Sequence, residues 1–146
     1  MSVVSDTGPL VALAKVDQLA LLKAMFYEVH IPPAVHRELL AKPGPESARL
    51  ESALQGFLKL VPSPAVPSAV EMATSRLHPG EREALALAYE GDVLLLIDDH
   101  LGRTAARLSC LTVSGVIGVL VQAKKAGLLT SLGPLLLDMR RRGYWL

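Results

Sequence analysis

The chain has 146 residues, a formal net charge of +1, 51% apolar residues and 20% charged residues. That hydrophobicity excludes a disordered chain, and at this length one domain spanning residues 1–146, with a sizeable core, is expected. Only 4% of residues are aromatic, so the core must be aliphatic. The charge is uneven: residues 1–100 carry 8 Lys and Arg against 13 Asp and Glu, and residues 101–146 carry 7 against 1. An acidic body with a basic C-terminal third suits a polyanionic partner with a cation between them, and equally suits ordinary surface scatter. The single cysteine, Cys110, excludes an intrachain disulfide and a C-x-x-C metal site. It reads as a small core residue in a reducing compartment. No secretory signature opens the sequence, and the longest weakly polar run, Leu111 to Ala123, is shorter than the roughly 20 residues a bilayer span needs. A cytoplasmic protein with no membrane contact is expected.

In chain order, Val3-Val4-Ser5 reads as a strand leading into the turn Asp6-Thr7-Gly8-Pro9. Two short helical segments follow, Leu10 to Ala14 and Leu19 to Met25, and then a strand from Tyr27 to Ile31. Pro32-Pro33 stops that strand, and Pro33 suits the first turn of a helix through Ala41. Lys42-Pro43-Gly44-Pro45 breaks this helix; a helix over Glu46 to Gln55 and a strand over Leu58 to Val61 come next. Helices are predicted over Val70 to Leu77 and Glu81 to Tyr89. Val93-Leu94-Leu95-Leu96-Ile97 is the strongest strand signal, and its unbroken apolar character implies burial on both faces. Asp98-Asp99 ends it, with a helix to about Leu108 beyond. A short strand, Leu111 to Val113, precedes a helix capped by Ser114 and running to Lys125. A last helix spans Leu132 to Arg142, and Gly143-Tyr144-Trp145-Leu146 reads as a terminal strand or docked tail. Strands alternating with helices predict an α/β fold with a parallel sheet, whose ligands bind beyond the carboxyl ends of the strands.

Asp6 and the pair Asp98-Asp99 stand at such ends. Two acidic strand ends meeting there would repel without a cation, and Mg²⁺ or Mn²⁺ prefers oxygen clusters of this kind. Asp6 and Asp99 also suit helix capping. Glu38 borders the apolar stripe of its helix, or is a solvated residue paired with a neighbouring arginine. Glu83 shares a face with Ala86 and Leu87 on a helix apolar nearly all round. Glu81 and Glu83 equally suit the positive end of that helix's dipole. Arg103 and Arg107 follow Asp99 at helical spacing, either as ion-pair partners or as phosphate ligands. The four histidines lack paired metal spacing, which argues against zinc. No G-x-x-x-x-G-K-[ST] or G-x-G-x-x-G is present, so no nucleotide cofactor is expected.

The ordered set Val3 to Leu10, Ile31 to Leu39, Gly80 to Ala84 and Leu96 to Arg103 resembles the PIN-domain family of metal-dependent ribonucleases, closest to the small prokaryotic branch related to VapC-type toxins. The resemblance implies a three-layer α/β fold, with a central parallel sheet of about 4–5 strands flanked by helices. It implies an acidic pocket for Mg²⁺ or Mn²⁺, RNA as substrate, an antitoxin partner and a homodimer. By position, Asp6, Glu38 and Glu83 become the first three acids. The fourth place falls on Asp98 or Asp99, where Ile97 stands in place of the family's Thr. Asp99 lines up with the catalytic acid, and both aspartates remain candidate metal ligands. Thr7 and Glu81 support the cluster, and Arg103 and Arg107 hold the substrate. Asp6-Thr7-Gly8 also matches the D-T-G loop of aspartic proteases, but those folds are essentially all β. A dehalogenase-like phosphatase would want D-x-D, and position 8 is Gly. The alternative within the family is a catalytically weak module that binds RNA or an antitoxin.

Overall fold

A computed structural model of the chain describes residues 2–41 and 43–144. Its strands are β1 (Ser2–Ser5), β2 (Glu28–Ile31), β3 (Leu58–Leu60), β4 (Leu95–Leu96) and β5 (Val113–Ser114). They form one sheet in the order β3-β2-β1-β4-β5, with every neighbouring pair parallel. The helices are α1 (Thr7–Lys15), α2 (Ala20–Phe26), α3 (Pro33–Ala41), α4 (Ser47–Leu54), α5 (Ser68–Thr74), α6 (Pro79–Gly91), α7 (His100–Leu108), α8 (Val116–Lys125) and α9 (Gly133–Arg141).

Right-handed crossovers place these helices on two faces. The chain moves outward from β1 to β3, then returns past β1 to β4 and on to β5. Helices of the first half, α1, α2 and α4, therefore cover one face, where α8 joins α1 and α2. Those of the second half, α5, α6 and α7, cover the other and pack on one another. Helix α3 touches α1, α4 and α6, so it bridges the two layers near the carboxyl end of the sheet.

The core between the layers is aliphatic. Val3, Val4, Val29, Ile31, Leu95, Leu96 and Ile97 from the strands meet Leu10, Leu13, Leu22, Leu85 and Leu120 from the helices, all at most 1% exposed. The 93–97 run is buried through Leu95-Leu96-Ile97, but its paired strand is only Leu95–Leu96, shorter than the sequence suggests. Its upstream part is taken by the end of α6, where the Val93 N–H donates to Ala88 O, 3.1 Å away. The last short strand also begins two residues later than expected, at Val113. Ser114 does not cap α8; Gly115 takes that position, and the Asp98 carboxylate accepts from the Val116 N–H at 2.8 Å. The cap comes from the neighbouring strand end because Ser114 lies within β5, its hydroxyl donating to the Gly115 carbonyl. Tyr144 docks its hydroxyl on Asp98; Trp145 and Leu146 lie outside the described residues. Among the described residues, no helix is long and apolar enough to cross a membrane.

Tyr27 ends α2 with φ 67° and ψ −51° while 80% exposed, so its side chain gains little from packing and its backbone is strained. Glycine is the usual residue at a helix end that turns left-handed. Tyr27→Gly should therefore stabilise the protein by about 1 kcal/mol, the relief of backbone strain outweighing glycine's extra entropy in the unfolded chain, read from urea midpoints at unchanged m; a destabilised variant would show that the tyrosine is held by packing.

Candidate functional site

Strand order reverses between β1 and β4, and at such a point a crevice opens beyond the carboxyl ends. Asp6 follows β1 directly and its N–H donates to Leu96 O at 2.9 Å, which locks it beside the end of β4. It takes the N-cap position of α1, yet its side chain caps nothing. The residue is 5% exposed and its Oδ1 has no hydrogen-bond partner; the adjacent Thr7 Oγ1 is equally unpartnered. Burial pushes the Asp6 carboxyl up to about 6. The Thr7 N–H and His78 oppose that rise, and Glu38 and Asp99 add to it.

Three further carboxylates line the crevice around Asp6, though they do not converge on one point. Glu38 comes from α3, where it stands beside Gly80 so closely that any Cβ at position 80 would overlap its carboxylate. Glu81 comes from the first turn of α6 and is also 5% exposed. Its carboxyl is pushed up to about 7, by burial first and then by the Asp99 carboxyl with which it shares a hydrogen bond, against the pull of His78. Asp99 is exposed at the N-cap of α7, with Oδ2 accepting from the Gly102 N–H at 2.9 Å. The His78 ring joins two of these groups: Nδ1 lies 3.9 Å from Glu38 Oε1, and Nε2 lies 3.4 Å from Glu81 Oε1.

The remaining expected residues sit elsewhere. Glu83 Oε1 accepts from the Ala34 N–H at 3.0 Å, so it holds the first turn of α3, the helix that carries Glu38. Asp98 is engaged by the Val116 N–H on one oxygen and by the Tyr144 hydroxyl on the other. Burial and this bond raise the Tyr144 hydroxyl well above its ordinary range. Asp98 thus seats α8 and the C-terminal segment. Arg103 lines a cavity with Asp98, Gly115 and Tyr144. Arg107 is exposed in the last turn of α7, about 12 Å along the axis from Asp99 at 1.5 Å per residue. The structure does not bring it to the crevice. His78 is the group that sequence reasoning missed. Its signal was the spacing in His78-Pro79-Gly80-Glu81, which sets a helix N-cap three residues before an acid.

With this geometry in hand, relatives can be compared. The model of the DUF3368 family, a PIN domain, matches residues 2–146. The chain belongs to the PIN-domain family. A solved structure, a PilT N-terminus domain protein from the hyperthermophilic archaeon Sulfolobus solfataricus P2, superposes with a TM-score of 0.65 at 18% identity, covering 84% of this chain and 93% of that one. At that identity the likeness carries the fold alone. No curated protein matches the sequence. PIN domains are generally nucleases that use divalent metals.

The residues of this PIN domain fit such an ion. An orphaned buried carboxylate oxygen facing other carboxylates is an all-oxygen donor set of the kind hard cations take. Among the described residues, no three groups converge on one point as they stand.

The two raised carboxyls fix the pH response of the metal-free protein. Each binds a proton more tightly folded than unfolded, from 3.8 to about 6 for Asp6 and from 4.5 to about 7 for Glu81. Their contribution to stability is intact below about pH 4, is lost as pH rises, and is gone above about pH 7. Asp6→Asn should therefore leave stability at pH 4 nearly unchanged and raise it by about 1–3 kcal/mol at pH 8. Chemical denaturation in EDTA at both pH values reads this, and a variant destabilised at pH 8 would contradict it. Glu83→Ala should cost about 1–2 kcal/mol by orphaning the Ala34 N–H, whereas Glu83→Gln, which keeps an acceptor, should cost less than half as much. Equal losses would show that the charge, not the hydrogen bond, is what position 83 supplies.

Proposed function

We propose that this PIN domain is a Mg²⁺- or Mn²⁺-dependent endoribonuclease that hydrolyses RNA phosphodiester bonds, acting as a homodimer and as the toxin-like member of a toxin–antitoxin pair. The observation that carries the catalytic part is the Asp6 Oδ1, buried and unpartnered at the reversal of the sheet and surrounded by the charges of Glu38, His78 and Asp99. The antitoxin and the dimer rest on family resemblance.

Asp6, Glu38, Glu81 and Asp99 would hold the ion, with Thr7 beside them. A bound divalent cation neutralises phosphodiester charge and lowers the pKa of a water for in-line attack. The chain's own work is placement. Asp6 is fixed by its backbone bond to Leu96, and Glu38 is brought in by the Glu83 bond to α3. Glu81 is buried in the first turn of α6, where the His78 ring lies 3.4 Å from its carboxylate. Asp98 keeps its oxygens on α8 and Tyr144 and serves the site by fixing the turn that presents Asp99. Only 4% of the residues are aromatic, which favours recognition of the backbone over base stacking.

The rival reading, a module that binds RNA or an antitoxin without cleaving it, has one observation in its favour: the donors do not converge as they stand. Cleavage of a mixed single-stranded and structured RNA pool separates the two. Wild type should cut with Mg²⁺ or Mn²⁺ and not in EDTA, and Asp6→Asn should lose about 100-fold or more. An active, folded Asp6→Asn protein, or cutting that persists in EDTA, would overturn the proposal.

A further inference from the structure

Gly80 is out of place by ordinary helix chemistry. It lies in the first turn of α6 and is buried. Its backbone does not need glycine, since the described glycines with positive φ are Gly127 and Gly143. Alanine would suit the turn better, because glycine gives up more conformational freedom on folding. What a side chain at 80 would meet is specific. Its Cβ would overlap Glu38 Oε1, with Glu38 Cδ 3.0 Å away and His78 Cε1 3.4 Å away. These nearest atoms belong to the site and not to the aliphatic core.

The contact between α3 and α6 has two rungs. In the first, Glu83 accepts from the Ala34 N–H at 3.0 Å. Glu38 stands four residues further along α3, about 6 Å, and Gly80 three residues back along α6, about 4.5 Å. The second rung is therefore the Glu38 carboxylate laid on Gly80, with His78 Nδ1 3.9 Å from its Oε1. The first turn of α6 is the positive end of its dipole, which favours a carboxylate there. Glu38 also lines, with Thr7, a cavity of about 360 Å³, which places it between α6 and the turn that carries Asp6. On its other side a cleft of about 420 Å³ opens past Arg37 and Ala41. The Glu38 side chain is long and partly exposed, so a Cβ at 80 would drive the carboxylate towards open space and leave both helices where they are.

We propose that Gly80 is a positioning residue for the cation site: the missing side chain seats the Glu38 carboxylate on the first turn of α6 and keeps it out of the open cleft. This rests on the cation-dependent reading above and adds what holds Glu38 in place. Glycine at 80 does its work through Glu38 and touches neither ion nor substrate. The cost in helix stability is accepted at the one position of α6 where a methyl group would move a ligand.

The test is Mn²⁺ binding to the whole chain at pH 7.5, read by calorimetric titration, together with urea unfolding in EDTA. Gly80→Ala should weaken Mn²⁺ binding about ten-fold, with a urea midpoint unchanged or higher. Glu38→Ala should weaken binding at least as much. Adding Gly80→Ala to Glu38→Ala should then change binding less than two-fold, because the group through which position 80 acts is gone. On that background Gly80→Ala should also raise the urea midpoint more than it does in wild type. Gly133→Ala, where a Cβ meets nothing within 4 Å, should leave Mn²⁺ binding within two-fold of wild type. The assignment is overturned if Gly80→Ala binds Mn²⁺ as wild type does, or if its effect on binding is the same with and without Glu38. It is also overturned if Gly80→Ala lowers the midpoint equally in both backgrounds, since the Cβ would then be meeting the core. Binding that is lost in Asp6→Asn but kept in Gly80→Ala sinks the positioning role alone. A wild type that binds no Mn²⁺ sinks the cation site and this role with it.

Discussion

The organising constraint of this molecule is the Asp6 carboxylate, taken out of water at the carboxyl end of the central strand with one oxygen left unpaired. A buried acceptor without a partner costs about 1–3 kcal/mol, and the like charges of Glu38 and Asp99 add to it. Nothing in the aliphatic core requires an acid at this place. The fold tolerates the strain because the backbone fixes the residue: β1 is paired on both edges, and the Asp6 N–H is tied to Leu96 O.

The surrounding acids divide into two kinds of work. Glu83 and Asp98 each give one oxygen to a helix N-terminus, that of α3 and of α8, and the other Asp98 oxygen takes the Tyr144 hydroxyl. Each bond is made across elements far apart in sequence, so each fixes a helix relative to the sheet, not merely a helix end. Asp6, Glu81, Glu38 and Asp99 face the crevice. Gly80 belongs with them, since the room its missing side chain leaves is filled by the Glu38 carboxylate. Moving α3 by even a fraction of its radius would therefore disturb the Ala34 bond and the packing of Glu38 together.

Much of this was legible in the sequence. A β-branched run ending in Asp6 and an apolar run ending in Asp98-Asp99 locate both acids at strand ends, because strands of a parallel sheet are recognisable by composition and length. The choice between neighbours was not legible. Asp98 and Asp99 sit on an extended stretch, where successive side chains point to opposite sides; which one faces the crevice depends on where β5 and α8 lie. Glu81 and Glu83 are two residues apart on α6, about 200° around the axis, and the helix's rotation is set by its packing on α3. His78 escaped notice because its partners, Glu38 and Glu81, are brought together only by the fold. Arg107 was placed by face and not by height, and the helix rise carries it away.

The central claim is that the crowded carboxylates form a cation site, and its most direct test is calorimetric titration of the metal-free protein with Mn²⁺ at pH 6.5 in buffers of different ionisation enthalpy. With Asp6 raised to about 6 and Glu81 to about 7, binding must displace protons already held there. The account predicts saturable binding that releases about one proton per ion and is abolished in Asp6→Asn. Binding without proton release, binding unchanged in Asp6→Asn, or no binding at millimolar Mn²⁺ would contradict it.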